Sequence, residues 1–350
     1  MERITVHTSK EYDVLVGSGL LHRLSQLLPS FDHSASAMII SDSNVWPLYG
    51  DIITQNLKNI GFKVYHFVFE AGESNKTPTT YLQILNHLAN SNITRTDYIV
   101  ALGGGVVGDM AGFVASTYLR GISYIQIPTT LLSMVDSSVG GKTAIDLPAG
   151  KNMVGSFYQP SLVICDTDTL STLPTQIFID GCAEVIKYGI LYDPELFQQL
   201  EQCGLDFDRT AVITRCIQWK ARVVQEDEFD TGVRQKLNLG HTIGHSIEKS
   251  ANYSISHGQA VSIGIHMVSK MAMRLGICSE ETHQQISAII QNFHLPITTS
   301  FPSSTLCANA LSDKKRENNF ISLILPATIG CCITQKHPIS QLESLIKEGM

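Results

Sequence analysis

From residue 12 to about residue 170, short β-branched runs alternate with amphipathic stretches. Tyr12 to Val16, Ala37 to Ile40, Lys63 to Phe69, Tyr98 to Leu102, Ile122 to Ile127 and Val163 to Asp166 read as strands bounded by turn residues. Helices are expected from Leu20 to Leu28, stopped before Pro29, from about Thr79 to Ala89, and from Met110 to Thr117. That alternation is the mark of a parallel sheet with crossover helices. From about Leu170 the period becomes mostly helical, over Gln176 to Leu191, Asp208 to Gln225, His241 to Ala251, Gly258 to Leu275 and Glu280 to Phe293. In this half only Asn319 to Leu325 reads clearly as a strand. The expectation is an α/β domain over residues 1–170 and a mostly α-helical domain over residues 171–350.

Composition narrows the class. A length of 350 residues suits two domains, and 43% hydrophobic with 16% charged residues is a globular balance. The net charge of -7 argues against a nucleic-acid or anionic-membrane partner, since both reward a basic face. The 8 cysteines show no C-x-x-C spacing, as expected of reduced core thiols. With no apolar leader at Met1 and no apolar run of membrane-spanning length, a soluble cytoplasmic protein is expected.

Chemistry-bearing residues collect at the ends of the expected strands, where open α/β sheets bind ligands. Ser41-Asp42-Ser43-Asn44 follows one strand and Glu70 to Lys76 follows the next, although a helix-capping turn presents the same residues. Gly103, Gly105 and Gly108 satisfy G-x-G-x-x-G between a strand and a helix, so backbone N–H groups can approach a pyrophosphate at the helix start. A tight glycine turn with no ligand is the alternative. After the strand ending at Ile127, the run from Pro128 through Asp136 to Lys142, followed by Lys151-Asn152, supplies hydroxyls, paired glycines and lysines for an anion cradle. Its glycine spacing is not that of a Walker loop.

In the helical half, Ala183-Glu184-Val-Ile-Lys187-Tyr188 sets a carboxylate and an ammonium three residues apart on one helical face. A solvated ion pair has the same spacing, but the apolar setting argues for burial. Asn238-Leu-Gly-His241-Thr-Ile-Gly-His245, with Arg234 upstream and His257 downstream, is the densest cluster in the chain. On a helix His241 and His245 would lean from one face and grip one cation. Histidines satisfied at a helix–helix contact would present the same pattern.

Taken together, Gly103 to Asp109, Pro-Thr-Thr130, Asp136 with Gly-Gly-Lys142, Lys151-Asn152, Ala-Glu184-Val-Ile-Lys187-Tyr-Gly, Arg234 with Asn238 to His245, His257-Gly and Asp313-Lys-Lys resemble the 3-dehydroquinate synthases, over about residues 10 to 345. The resemblance implies a Rossmann-like NAD-binding domain, a helical metal-binding domain and a cytoplasmic homodimer. It implies conversion of 3-deoxy-D-arabino-heptulosonate 7-phosphate to 3-dehydroquinate and phosphate by transient oxidation with NAD, phosphate elimination, reduction and aldol closure. The implied ligands of zinc, or cobalt, are Glu184, His241 and His257, which turns His245 from the metal to the substrate. Lys142, Asn152, Asn238, His245 and Lys314 or Lys315 are implied around the phosphate, with Arg120 arriving from the other subunit. Asp136, Lys187, Lys220 and Arg234 are implied at the hydroxyls and carboxylate. For NAD the matching positions are Asp42, Asn44, Ala71, Gly72, Glu73, Ser74, Asn75, Lys76, Gly105, Val106, Val107, Gly108, Asp109, Thr129, Thr130, Lys142, Lys151, Thr169, Leu170, Ser171 and Thr172. Asp230 stands where the family commonly has glutamate, Gln176-Ile177 where it has Arg-Glu, and Asn318-Asn319 where it has a glycine turn. Another sugar-phosphate cyclase and a metal-dependent polyol dehydrogenase are the competing readings.

Overall fold

The computed structural model describes residues 1–28, 32, 34–312, 316, 317 and 319–350. In chain order its first elements are β1 (Glu2–Val6), β2 (Tyr12–Gly17), α1 (Leu24–Leu27), β3 (Ser36–Asp42), α2 (Trp46–Asn59), β4 (Lys63–Phe69), α3 (Pro78–Asn90), β5 (Tyr98–Gly103) and α4 (Gly105–Thr117). Then come β6 (Ser123–Pro128), β7 (Lys142–Leu147), β8 (Gly150–Phe157) and β9 (Leu162–Asp166). The helical run follows with α5 (Thr175–Tyr192), α6 (Pro194–Cys203), α7 (Arg209–Glu226), α8 (His241–Ser250), α9 (His257–Arg274), α10 (Glu280–Asn292) and α11 (Ser303–Ser312). The chain ends with β10 (Arg316–Glu317), β11 (Phe320–Thr328), β12 (Cys331–Pro338) and α12 (Leu342–Gly349).

Two compact units form, residues 1–173 with 209–229, and residues 174–208 with 230–350. The helix expected from Asp208 to Gln225 therefore belongs to the first unit, not to a contiguous second half. Its buried face, including Val212, Ile213, Ile217 and Val224, packs on β1, β2 and the turn around Asp136. Periodicity shows that such a face is buried but is silent about its partner.

Among the described residues of the first unit the main sheet has the order β1-β2-β9-β6-β5-β3-β4, parallel throughout except for the β1–β2 hairpin at one edge. Successive residues of its central strands enter opposite layers. Ile39, Val100 and Leu102 pack toward α1 and α2, while Met38, Ile40, Ile99 and Ala101 pack toward α3 and α4. A strand buried on both faces must be apolar at every position, which is why these runs stand out in the sequence. The chain runs from β3 outward to β4, then returns to lay β5 on the other side of β3. That reversal opens a crevice at the carboxyl ends of β3 and β5, the switch point at which such sheets take ligands.

Two details depart from the sequence expectation here, and a third gives the anion-cradle run its form. The stretch from Leu20 to Leu28 is a short 3-10 turn followed by only four helical residues. Helix α4 begins at Gly105, not Met110, so two of the three fingerprint glycines lie inside its first turn. The run read as an anion cradle is a π-helical turn, Ser133–Ser137, and then the antiparallel β7–β8 hairpin.

In the second unit α9 is the axis, in contact with α5, α8, α10, α12 and β11. Helix α5 is buried at every position from Gly181 to Leu191, as befits a helix apolar nearly all round. The strand expected at Asn319 to Leu325 is β11, and it pairs with β12, which the sequence reading lacked. Within β12 only Cys332 and His337 are buried, and these lie on opposite faces of a strand, so no alternation was there to read.

Candidate metal centre and dinucleotide site

Glycines bring the helices of the second unit to backbone contact. A Cβ added at Gly264 of α9 would lie 2.0 Å from the carbonyl oxygen of Gly240, which itself needs its left-handed φ of +76° to start α8. A Cβ at Gly258 would lie 2.0 Å from the carbonyl oxygen of Asp180 on α5. His257 immediately precedes Gly258, and Glu184 stands one helical turn after Asp180. The close approach at Gly258 thus sets His257 opposite Glu184, and the one at Gly240 sets His241 beside them.

One ligand atom from each of Glu184, His241 and His257 lies within 4.8 Å of the others. His241 Nε2 is 3.6 Å and His257 Nε2 3.5 Å from Glu184 Oε1. Donors bonded at 2.0–2.1 Å to a tetrahedral zinc stand roughly 3.4 Å apart, so these separations suit one ion between them. His241 Nδ1 is 3.0 Å from the Leu239 carbonyl oxygen, which only accepts, so the proton sits on Nδ1 and Nε2 presents its lone pair. Burial pushes the His241 imidazolium well below the ordinary histidine value. Burial also opposes charge on His257, but hydrogen bonds with Glu184 and Glu248 outweigh it and push its pKa up to about 10. Glu184 and Lys187 form an ion pair at 0% and 1% side-chain exposure, the burial that their apolar setting argued for over a solvated pair. The apolar shell of α5 is the reason.

The remaining second-unit candidates sit on the turn before α8 and on α8 itself. Arg234 is buried, and Asn238 donates its side-chain amide to the Gln235 carbonyl at 3.0 Å. The His245 ring centroid is 5.4 Å from that of His241 and 6.1 Å from that of His257. A second donor group, His245, Glu248 and His257, overlaps the first at His257. Glu248 went unread in the sequence, although it lies three residues after His245 on the same helical face. Lys314 and Lys315 lie outside the described residues.

In the first unit the glycine turn lies at the switch point. Its glycines answer to packing as well as to any ligand. An added Cβ would approach Val107 Cγ2 to 2.5 Å at Gly103 and Gln126 Oε1 to 3.0 Å at Gly108. At the end of β3 Asp42 accepts the backbone N–H groups of Asn44 and Val45 at 2.9 Å each, the capping role weighed above. Ala71 N–H donates to Ser43 Oγ, and Gly72, at a φ of +111°, turns the chain into the Glu73–Asn75 3-10 turn. Lys76, 3% exposed, then reaches Asp109 Oδ2 and Asn152 Oδ1, each at 2.6 Å. Burial works against its charge, but Asp109 and Glu73 outweigh it and hold Lys76 above the usual lysine value. Lys151 pairs with Glu73 at 3.7 Å.

Thr129 Oγ1 is buried at the end of β6 with no hydrogen-bond partner among the described residues, an orphan that a ligand group would satisfy. Thr130 instead bonds Ser133, and Thr169 and Thr172 cap the turn after β9, where Leu170 is buried and Ser171 exposed. Asp136 Oδ1 meets Lys220 Nζ of α7 at 2.6 Å. Lys142 is exposed at the start of β7, and Arg120, at a φ of 68°, is exposed on the turn after α4.

A parallel α/β unit with a glycine turn at its switch point, and a helical unit with a carboxylate and two oriented imidazoles, define a metal- and dinucleotide-dependent enzyme. The 2-epi-5-epi-valiolone synthase of Streptomyces hygroscopicus subsp. jinggangensis, solved with NAD+ and Zn2+ bound, has the same fold: TM-score 0.90, 27% identity, 99% of this chain and 98% of that chain covered. The family models for the 3-dehydroquinate synthase N-terminal and C-terminal regions match residues 66–180 and 181–316. The 3-dehydroquinate synthase of Clostridium acetobutylicum is 42% identical over 93% of both chains, and that of Vibrio atlanticus 44% identical over 94% of both. The chain belongs to the 3-dehydroquinate synthase family. No described helix is long and apolar enough to cross a membrane.

Proposed function

We infer that the protein converts 3-deoxy-D-arabino-heptulosonate 7-phosphate into 3-dehydroquinate and phosphate, using a divalent metal, zinc or cobalt, and NAD restored within each turnover. The observation that carries this reading is the pair of separations, 3.6 and 3.5 Å, between Glu184 Oε1 and the Nε2 atoms of His241 and His257. These three residues would hold the ion. When bound, zinc supplies Lewis acidity toward vicinal hydroxyls and NAD a reversible two-electron sink.

The chain's own residues bind and orient. Lys187 and Arg234, both buried cations, serve the substrate's carboxylate and hydroxyls, as do Asp136 and Lys220. Fixing one rotamer of a flexible sugar acid is worth more to rate than any single contact. Phosphate falls to Asn238 and His245, to Lys142 and Asn152, and to Lys314 or Lys315. Charge-assisted donors strengthen as negative charge gathers on the departing group. Arg120 completes this set from a second copy of the chain, which makes the working form a homodimer in the cytoplasm. The dinucleotide lies on Gly105 to Asp109. Asp42, Asn44, the Ala71 to Lys76 turn, Thr129, Thr130, Lys151 and the Thr169 to Thr172 turn surround it, and the orphan Thr129 hydroxyl supports that assignment.

The test is an assay of purified protein with zinc, a catalytic amount of NAD and the heptulosonate phosphate. Phosphate release matched by dehydroquinate, with no net rise in NADH absorbance, is the expected result. Steady NADH accumulation would mean a polyol dehydrogenase instead. A folded Glu184→Ala protein that kept metal and activity would refute the ligand assignment.

A further inference from the structure

Glu248 lies on α8 with only 3% of its surface exposed, and no role in the reaction has yet been given to it. Its Oε2 is 3.5 Å from His257 Nδ1, while the same ring's Nε2 is 3.5 Å from Glu184 Oε1. The imidazole of His257 therefore stands between two carboxylates, one at each nitrogen. His241 is arranged alike, with the Leu239 carbonyl at Nδ1 and Glu184 at Nε2. Both rings have a protein acceptor behind and the shared carboxylate in front.

A neutral imidazole carries one proton, and the acceptor at one nitrogen decides which nitrogen keeps its lone pair. A buried carboxylate is costly to desolvate unless it is engaged, so one set against a ring nitrogen is not idle. We propose that Glu248 is a positioning residue of the metal centre: its carboxylate accepts the Nδ1–H of His257, fixing the ring's tautomer and rotation so that Nε2 is the ligand. This rests on the reading above that one ion sits among Glu184, His241 and His257. Outer partners of this kind change metal affinity by roughly 10–100-fold when lost.

The discriminating comparison uses two replacements of similar size, Glu248→Met, which removes the acceptor, and Glu248→Gln, whose carbonyl keeps it. Zinc dissociation constants are measured by chelator competition, and the cobalt absorption spectrum is recorded for each protein. The expected result is one zinc per wild-type chain, binding weakened 10–100-fold with an altered cobalt spectrum in Glu248→Met, and binding within about threefold of wild type in Glu248→Gln. Equal affinity in the Met variant, no rescue by Gln, or a second wild-type zinc that Glu248→Met loses would each overturn the proposal. The last outcome would make Glu248 a ligand with His245 and His257. Should the Met variant not fold, histidine 15N shifts of the zinc-loaded wild type decide: Nδ1–H with ligated Nε2 at His257 is expected, and the opposite tautomer refutes it. A Glu184→Ala control separates the two levels. If it retains zinc, the ligand set itself is wrong; if it loses zinc while Glu248→Met does not, only the role of Glu248 falls.

Discussion

Two lysine–carboxylate pairs, one from each unit, differ in how they are enclosed. Lys187 and Glu184 sit on one helix with side chains 1% and 0% exposed, walled by apolar helices. Lys76 and Asp109 are 3% and 19% exposed, and they lie among turns at the carboxyl ends of strands, sharing Asn152. Water screens part of the second pair and almost none of the first, so the same chemistry should weigh differently on stability. The helical pair sits beside the oriented imidazoles, and a divalent ion there would lessen the need for the ammonium. The sheet-end pair instead ties the turn after β4 and helix α4 to the hairpin carrying Asn152.

The largest effect is expected from Lys187→Met, which breaks the fully enclosed pair. Metal-free protein should lose about 3–5 kcal/mol, and zinc-loaded protein clearly less, because the ion supplies positive charge to Glu184. Urea titrations with and without zinc read this directly, and equal losses in both would place the ion elsewhere.

Lys76→Met should cost less, about 1.5–3 kcal/mol, the scale of hydrogen bonds to a charged group. It should weaken NAD binding while leaving zinc affinity unchanged, as calorimetry with each ligand would show. A parallel loss of zinc affinity would erase the contrast between the two regions.

Gly258→Ala tests how the helices are held together. Its Cβ has no flexible neighbour to displace, since Asp180 contributes a backbone carbonyl at 2.0 Å. A destabilisation of about 1–3 kcal/mol is expected together with weaker zinc binding, as α9 and α5 move apart. A melting temperature and zinc affinity equal to wild type would show that the approach is not required.

Near neutral pH the smallest effect is expected on the α9–α10 contact, where the dependence is on pH. His266 is pushed down to about 4, by burial first and then by His283 and Lys270. The unfolded chain therefore takes up a proton near the ordinary histidine value that the folded chain refuses until about 4. Stability from this group is full above the ordinary value and is lost as pH falls through that window. His266→Gln should flatten the acid limb of the stability profile, and an unchanged limb would assign it to other groups.

The legible parts of the fold were those whose burial leaves an apolar run. Strands β3 and β5 are enclosed on both faces and stand out as short apolar runs, and α5 and α9, buried nearly all round, stand out as long ones. Helix α2, in which only Gly50, Ile53 and Leu57 are buried, went unread. Strand β12 went unread because its two buried residues fall out of phase with a strand's alternation. Within the candidate site the histidine cluster at His241 and His245 drew attention by density alone. Its simplest interpretation is one ion between i and i+4, and among the described residues neither donor group contains both His241 and His245.

The sequence by itself determined which residues are buried along the strongly apolar elements, where the glycines interrupt them, and which motifs the chain shares with its family. Tertiary structure alone decided that α7 joins the sheet unit, and that Glu248 stands against His257. The physical reason is that a hydrophobic period reports the face a segment turns inward but not the neighbour it meets there. That choice rests on backbone approaches such as Gly258 to Asp180 and Gly264 to Gly240, between positions far apart along the chain.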